Sequence, residues 1–312
     1  MAGLGKRLAR WLLPVAVSAS AFALLLGRID LGEMLRHLDV VVAVKLIPAV
    51  LVYGALSLWI EAQTLSHLAA PSSSVLGKWT CAKMKAASYP LGLLNYALGA
   101  GGLTYLLHRR GGLRISEAAG IVMLIALFDL GLLLLLSAFG VMLLSTQEVA
   151  LQVSVIAVGM IGIAAGFAFL RTSISMGPLD RVRDLELFRA ARETPIDRLA
   201  VLALLRLGFV LSFILLCGAA LAAFDIWVPL GDLAVGAAAV SLVAALPIAV
   251  AGLGTGQIAF VYMFEHWGSR EILLASNLAL TAALILMRAS IGLIFAREFT
   301  REALAAAREA GS

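Results

Sequence analysis

Three charged side chains stand inside otherwise apolar runs, and they carry most of the chemistry this sequence offers: Asp129, Arg206 and Arg288. Ionisable groups within membrane-length apolar segments are costly, and they usually face a bundle interior or a wet cavity. Asp129 lies near the middle of its run. It can serve as a headgroup or proton site, or as half of a structural ion pair with Arg288. Arg288 has the planar fork of donors that suits a lipid phosphate. Arg206 stands closer to one end of its run, where snorkelling of its long stem is the favoured reading. Lys45 and Glu61 fall near run ends and read as interfacial anchors. A second constellation is backbone chemistry. Pro247 leads into Ala251-Gly252-Leu253-Gly254-Thr255-Gly256-Gln257, and Pro90 leads past Asn95 into Gly99-Ala100-Gly101-Gly102. Proline removes a donor and clustered glycine favours a turn, so both segments are expected to break a helix and expose polar backbone.

Other chemistry is sparse. The four histidines, His37, His67, His108 and His266, are scattered without metal-ligand spacing. There is no Gly-x-x-x-x-Gly-Lys-[Ser/Thr] loop, Gly-x-Ser-x-Gly elbow or His-Glu-x-x-His pair. No cofactor or metal is expected, and no constellation argues for an enzyme. The two cysteines, Cys81 in a Lys-rich loop and Cys217 in an apolar run, form no disulfide framework and read as reduced.

The elements that hold these residues follow from composition. Of 312 residues, 62% are hydrophobic and 14% charged, with a mean hydropathy of +1.01. Soluble domains average roughly 45–50% apolar and about 25% charged. A soluble or disordered chain is excluded; this is an all-α polytopic membrane protein. The net charge of +5 fits basic cytoplasmic loops rather than a nucleic-acid partner. Apolar runs at 11–27, 40–60, 118–147, 149–170, 199–224 and 272–296 are expected to span. The first follows a basic start, Lys6, Arg7 and Arg10, but reads as a retained helix rather than a signal peptide.

The run 233–264 is too long for one span. As a single helix it would reach roughly 48 Å, against a hydrocarbon core of about 30 Å. With the break after Pro247 it is expected to form a re-entrant hairpin, tolerable where its broken backbone is buried in protein. The run 86–107 is expected to do the same from the other side. It is flanked by Lys78, Lys83 and Lys85 before and Arg109, Arg110 and Arg114 after, so both flanks lie on one side. Six spans plus two oppositely oriented re-entrant hairpins then place both termini in the cytoplasm. Only Arg28, Arg36 and Arg270 fall outside, with Lys45, Arg206 and Arg288 within spans. The remaining Lys and Arg lie inside, as the positive-inside rule requires.

This topology is an inverted repeat, 1–147 against 148–312. Pro90 and Pro247 hold matching places, as do Ser116 and Ser269, each read as the N-cap of the span that follows a hairpin. Such repeats mark transporters whose site lies near the midplane. Trp11, Trp59, Trp79, Trp227 and Trp267 read as interfacial belts. Residues 31–38 and 179–188 read as amphipathic surface stretches, and Thr194-Pro195 as the N-cap and first position of the next span.

Three stretches carry a family resemblance: Arg28-Ile29-Asp30-Leu31, Gly111-Gly112-Leu113-Arg114-Ile115-Ser116 leading to Asp129, and Leu246-Pro247 through Gln257, followed by Arg288. In these the chain resembles the flippase-like membrane proteins related to the transmembrane region of lysylphosphatidylglycerol synthases. It departs from them in offering Gln257 where the family often has an acidic residue. It also has no Glu or Arg at residues 101–105. With no aminoacyl-transferase domain expected after Ser312, the resemblance implies translocation of an amphiphilic lipid across a bacterial inner membrane, not lipid aminoacylation. Its implied site draws on Asp129, Arg288, Arg206, Pro247, Gly252, Gly254, Gly256, Gln257, Asn95 and Gly101. A membrane enzyme acting on a lipid headgroup and a non-catalytic partner of lipid-biosynthesis enzymes are the other readings open at this point. Self-association is compatible with all three.

Overall fold

The computed structural model describes residues 39–73, 75–94, 96–143, 149–171, 177–245 and 255–309. The first predicted span, the stretch 31–38, Asn95, Pro247, Gly252 and Gly254 lie outside them. The described chain is helical: α1 (Val40–Ala69), α2 (Lys78–Leu94), α3 (Tyr96–Gly111), α4 (Ile115–Leu143), α5 (Val149–Arg171), α6 (Pro178–Arg183), a 3-10 turn (Glu186–Phe188), α7 (Arg189–Glu193), α8 (Ile196–Ala223), α9 (Leu230–Ala245), α10 (Thr255–Phe264) and α11 (Arg270–Glu309). Among the described residues, four helical stretches are long and apolar enough to cross a membrane: Val40–Ala69, Ile115–Ala138, Ile196–Ala223 and Arg270–Phe295. Shorter apolar stretches are Gly159–Arg171, Leu230–Ala244 and Thr255–Phe264.

Two compact units organise the chain. One holds the described residues of Met1–Tyr53 with Leu133–Ile156 and Leu211–Leu284; the other holds Gly54–Leu132, Ala157–Val210 and Ile285–Ser312.

In the first unit, the run 233–264 divides into α9 and α10, because one helix of that length would overshoot the bilayer. The two helices pack directly. A methyl group on Gly236 would lie 2.6 Å from the Phe264 ring, so only glycine lets that ring seat. Phe264 in turn stacks on Phe260 at 4.8 Å. Helix α8 ends in a left-handed cap. Asp225 adopts φ 59°, Ile226 N–H donates to Leu221 O and Asp225 N–H to Ala222 O, the pattern of a Schellman closure. The cap presents Asp225 to Lys45 at 3.0 Å, so Lys45 sits at an exposed helix end, in keeping with an anchor.

The second unit is built on a continuous apolar core that includes Leu65, Leu103, Leu107, Leu124 and Leu202. Its hairpin of α2 and α3 begins earlier than the charge-free run predicts. Lys78, Lys83 and Lys85 lie within α2 rather than in a preceding loop, and so does Cys81, which is fully buried. Each leg is about 25 Å long at 1.5 Å per residue. The tip closes by backbone contact, since a Cβ on Gly99 would come 2.7 Å from Gly92 Cα. Helix α3 stops at Gly112, which takes φ 68° and returns its N–H to His108 O at 3.1 Å.

Two expected caps are corrected. Ser116 is inside α4, which begins at Ile115. Thr194 donates its hydroxyl to Ala190 O at 2.5 Å, closing the helix before it rather than opening the next; α8 starts one residue later than expected, at Ile196. Ser269 does cap α11, with Ile272 N–H 3.5 Å from its Oγ.

The tip geometry gives a paired test. Gly99→Val should lower stability by about 1–3 kcal/mol through overpacking, read as a lower thermal midpoint in detergent. Gly101→Ala, whose added methyl meets nothing within 4 Å, should leave that midpoint unchanged or slightly raised. Equal shifts in the two variants would show that the tip is not a close crossing.

Candidate functional site

The inward face of α1 in the second unit reads Ser57, Ile60, Glu61, Thr64, Leu65 and Leu68, all buried. That is helical spacing with polar groups inside it. Helix α8 buries Leu199, Leu202, Arg206 and Val210 on one stripe. Arg206 thus occupies a core position and cannot reach an interface. Its side chain is 1% exposed, so the snorkelling reading is overturned.

A guanidinium is never deprotonated in a protein and has no acceptor of its own. Buried, it must be met by anions. Asp129 on α4 meets it with both oxygens, Oδ1 at 2.6 Å from Nε and Oδ2 at 2.7 Å from Nη2. Glu61 Oε1 lies 3.3 Å from Nη1, and the Phe209 ring lies beneath the guanidinium carbon at 4.2 Å. The same Glu61 oxygen lies 3.2 Å from Lys85 Nζ on α2. The four groups form a chain, Asp129–Arg206–Glu61–Lys85, with two positive and two negative charges. Its middle is sealed. Its ends, Lys85 at 22% and Asp129 at 29% side-chain exposure, are partly open. The Tyr96 hydroxyl, at the start of α3, lies in the field of Asp129, Glu61 and Arg206.

Asp129 therefore pairs with Arg206, not with Arg288. The reason is spatial: α8 presents its arginine on a buried stripe directly across from α4. Glu61 is likewise no interfacial anchor but the bridge between two cations. Its signal was present in the sequence as the stripe Ser57, Glu61 and Thr64, spaced four and three residues apart. Lys85 gave no comparable signal.

Arg288 on α11 belongs to the same unit. Its guanidinium carbon lies 5.9 Å from the centre of the Tyr89 ring on α2, and among the described residues it makes no ion pair. One turn further, Gly292 leaves room for α2 at Pro90; a Cβ there would meet Pro90 Cδ at 2.5 Å and Ala86 O at 3.1 Å. Arg288 therefore flanks the hairpin of α2 and α3. Of the other candidates, Gly101 is exposed on α3, while Gly256 and Gln257 are buried on α10 in the other unit. Among the described residues no group of three His, Cys, Asp or Glu side chains is placed to hold a metal.

The charge arithmetic makes a sharp prediction. Removing one member of a buried ion pair strands the other and typically costs about 3–5 kcal/mol, whereas neutralising both is often nearly harmless. Arg206→Met should lower the thermal midpoint markedly. Adding Asp129→Asn should restore most of it, because Glu61 and Lys85 still balance each other. Adding Arg288→Gln to Asp129→Asn should restore nothing. Rescue by the Arg288 change instead would refute this pairing.

Comparison with known proteins yields one match. A family model described as the lysylphosphatidylglycerol synthase TM region aligns with residues 11–296. No curated protein and no solved structure matches the chain.

Proposed function

The chain belongs to the family of the lysylphosphatidylglycerol synthase transmembrane region, and from that premise we propose that it carries an anionic amphiphilic lipid between the leaflets of a bacterial inner membrane, without altering it chemically. One observation carries this reading: a charge-balanced chain of four ionisable side chains, buried at its middle and partly open at its ends, on membrane-length helices and on a hairpin, beside an arginine that makes no ion pair among the described residues. A lipid headgroup must avoid hydrocarbon while its tails need not, so such a protein has to supply polar groups at depth on a surface open to lipid.

In the proposed topology, six spans and two re-entrant hairpins form an inverted repeat with both termini cytoplasmic. Arg206 then lies about 10 Å, Asp129 about 16 Å and Arg288 about 12 Å from the cytoplasmic ends of their spans, at 1.5 Å per residue. Arg206 and Arg288 then lie in the inner half of the bilayer and Asp129 near its midplane, against a core of about 30 Å. Arg288 offers a planar fork of donors for a phosphate, held over the Tyr89 ring at the hairpin's flank. The open ends of the buried chain, Lys85 and Asp129, are the next polar contacts. The second hairpin, Pro247 through Gln257, would supply the matching polar passage in the opposite half.

Liposomes containing the purified protein and a fluorescent phosphatidylglycerol test the reading. The label should equilibrate between leaflets faster than in protein-free vesicles and be recovered unchanged. Arg288→Gln should slow it at least about tenfold while leaving the thermal midpoint near wild type, since loss of a single phosphate contact costs about 1.5–3 kcal/mol. No acceleration by the wild-type protein would sink the proposal, and a chemically converted lipid would replace it with an enzyme.

The topology has its own test. Single cysteines at positions 110 and 190 should label only from the cytoplasm and one at 230 only from outside, against a quiet background because Cys81 and Cys217 are buried. External labelling at 190 would exclude the two-hairpin arrangement.

A further inference from the structure

The buried chain is neutral as ionised, and that limits how it can receive an anion. Asp129 spends both oxygens on Arg206. Glu61 shares Oε1 between Arg206 and Lys85, while its Oε2 is buried and meets no donor among the described residues. The groups facing Glu61 are Lys85 from α2, Arg206 from α8, Asp129 beyond it on α4, and the Tyr96 hydroxyl of α3 in the same field. Among the described residues no further cation lies against Glu61 to compensate an added negative charge. A phosphate that reaches Lys85 and Arg206 therefore brings an unbalanced negative charge into a low-dielectric site, where an uncompensated ion is strongly disfavoured.

Three of these four groups are poorly placed to relieve that excess, Lys85 because its ammonium is already fully protonated. Arg206 cannot change its charge, and protonating Asp129 would turn an O–H toward a guanidinium donor and forfeit one arm of its fork. Glu61 can relieve it. A proton on Oε2 fills the one open acceptor position and releases Lys85 and Arg206 to the incoming phosphate. We propose that Glu61 takes up one proton for each singly charged anionic headgroup that seats on Lys85 and Arg206, which makes the protein an electroneutral lipid–proton symporter. The O–H bond forms at Glu61 Oε2 with a proton from water at the open Lys85 edge. It breaks again when the headgroup leaves and the Glu61 ion pairs re-form. The proposal rests on the lipid-translocation reading above.

The test uses the wild-type protein in vesicles of phosphatidylcholine and phosphatidylglycerol, with fluorescent phosphatidylglycerol in the membrane and a pH dye trapped inside. For one-to-one coupling, an inside-alkaline gradient of about one pH unit should hold the label at roughly a tenfold inner excess, since one unit corresponds to a factor of ten at equilibrium. Interior acidification should accompany its entry, and a potassium diffusion potential of either sign should hold no excess. Equilibration of the label with no response to the pH gradient would overturn the coupling while leaving translocation intact. Accumulation driven by the diffusion potential would overturn it too. No movement of label at all would remove both readings together. The assignment to Glu61 has a second readout in native mass spectrometry. Retention of phosphatidylglycerol by the wild type should fall severalfold between about pH 6 and about pH 8, and in Glu61→Gln it should be flat. An equal pH dependence in the two proteins would take the role from Glu61.

Discussion

Arg206 sets the terms for the unit that surrounds it. A permanently charged guanidinium at 1% exposure is tolerable only if carboxylates reach it, and two do, from separate helices. The bidentate contact with Asp129 fixes the rotation of α4 against α8, because a planar fork accepts a carboxylate in few orientations. The contact with Glu61 does the same for α1. Glu61 then needs its own second cation, and Lys85 of α2 supplies it. Four helices are held in register by one charge that cannot be removed by a proton.

Steric constraints act on the same hairpin. α2 approaches α3 through Gly92 and Gly99, and it approaches α11 where Pro90 lies against Gly292. Pro90 lacks the N–H that a regular helix would use, and the missing side chain of Gly292 is what leaves room for its ring. The residue before Pro90, Tyr89, lies against Arg288, and Lys85, about one turn earlier, closes the ionic chain. Ionic and steric demands therefore converge on a segment of six residues in α2, which couples the hairpin's position to the charge state of the site.

Much of this was legible in the sequence, and the limits have physical causes. Asp129, Arg206 and Arg288 stood out because charges inside apolar runs are rare, and the run 233–264 had to divide because its length exceeds the bilayer. The pairing of Asp129 was not legible. Either arginine satisfied the rule that a buried charge needs a partner, and only the rotation of α8 about its axis decides between them. Glu61 and Lys85 were misplaced for a different reason. Delimiting spans by the first charged residue assigns any charge at the edge of a run to an interface, although α1 continues to Ala69 and α2 begins at Lys78. The buried stripe Ser57, Glu61 and Thr64 shows that periodicity, followed through the charge, would have kept Glu61 inside. Thr194 was ambiguous in the same local way, since a hydroxyl between two helices can close one or open the other.

The two arginines of this unit divide the work that a lipid passage requires. Arg206 is fully committed to Asp129 and Glu61 and rests on the Phe209 ring, so an anion can share it only after one of those carboxylates yields. Arg288 contacts an aromatic face, which attracts its charge without occupying the planar fork of donors. Among the described residues Arg288 makes no ion pair, so none of those contacts has to break for it to meet a phosphate. Progress to Arg206 and Lys85 requires Glu61 to let go. A site made only of uncommitted cations would bind an anionic lipid tightly and hold it. A site made only of balanced pairs would not admit it. The arrangement here sets one kind beside the other, so the loss of a single charge at Glu61 is enough to decide whether the inner contacts are closed to a headgroup or open to it.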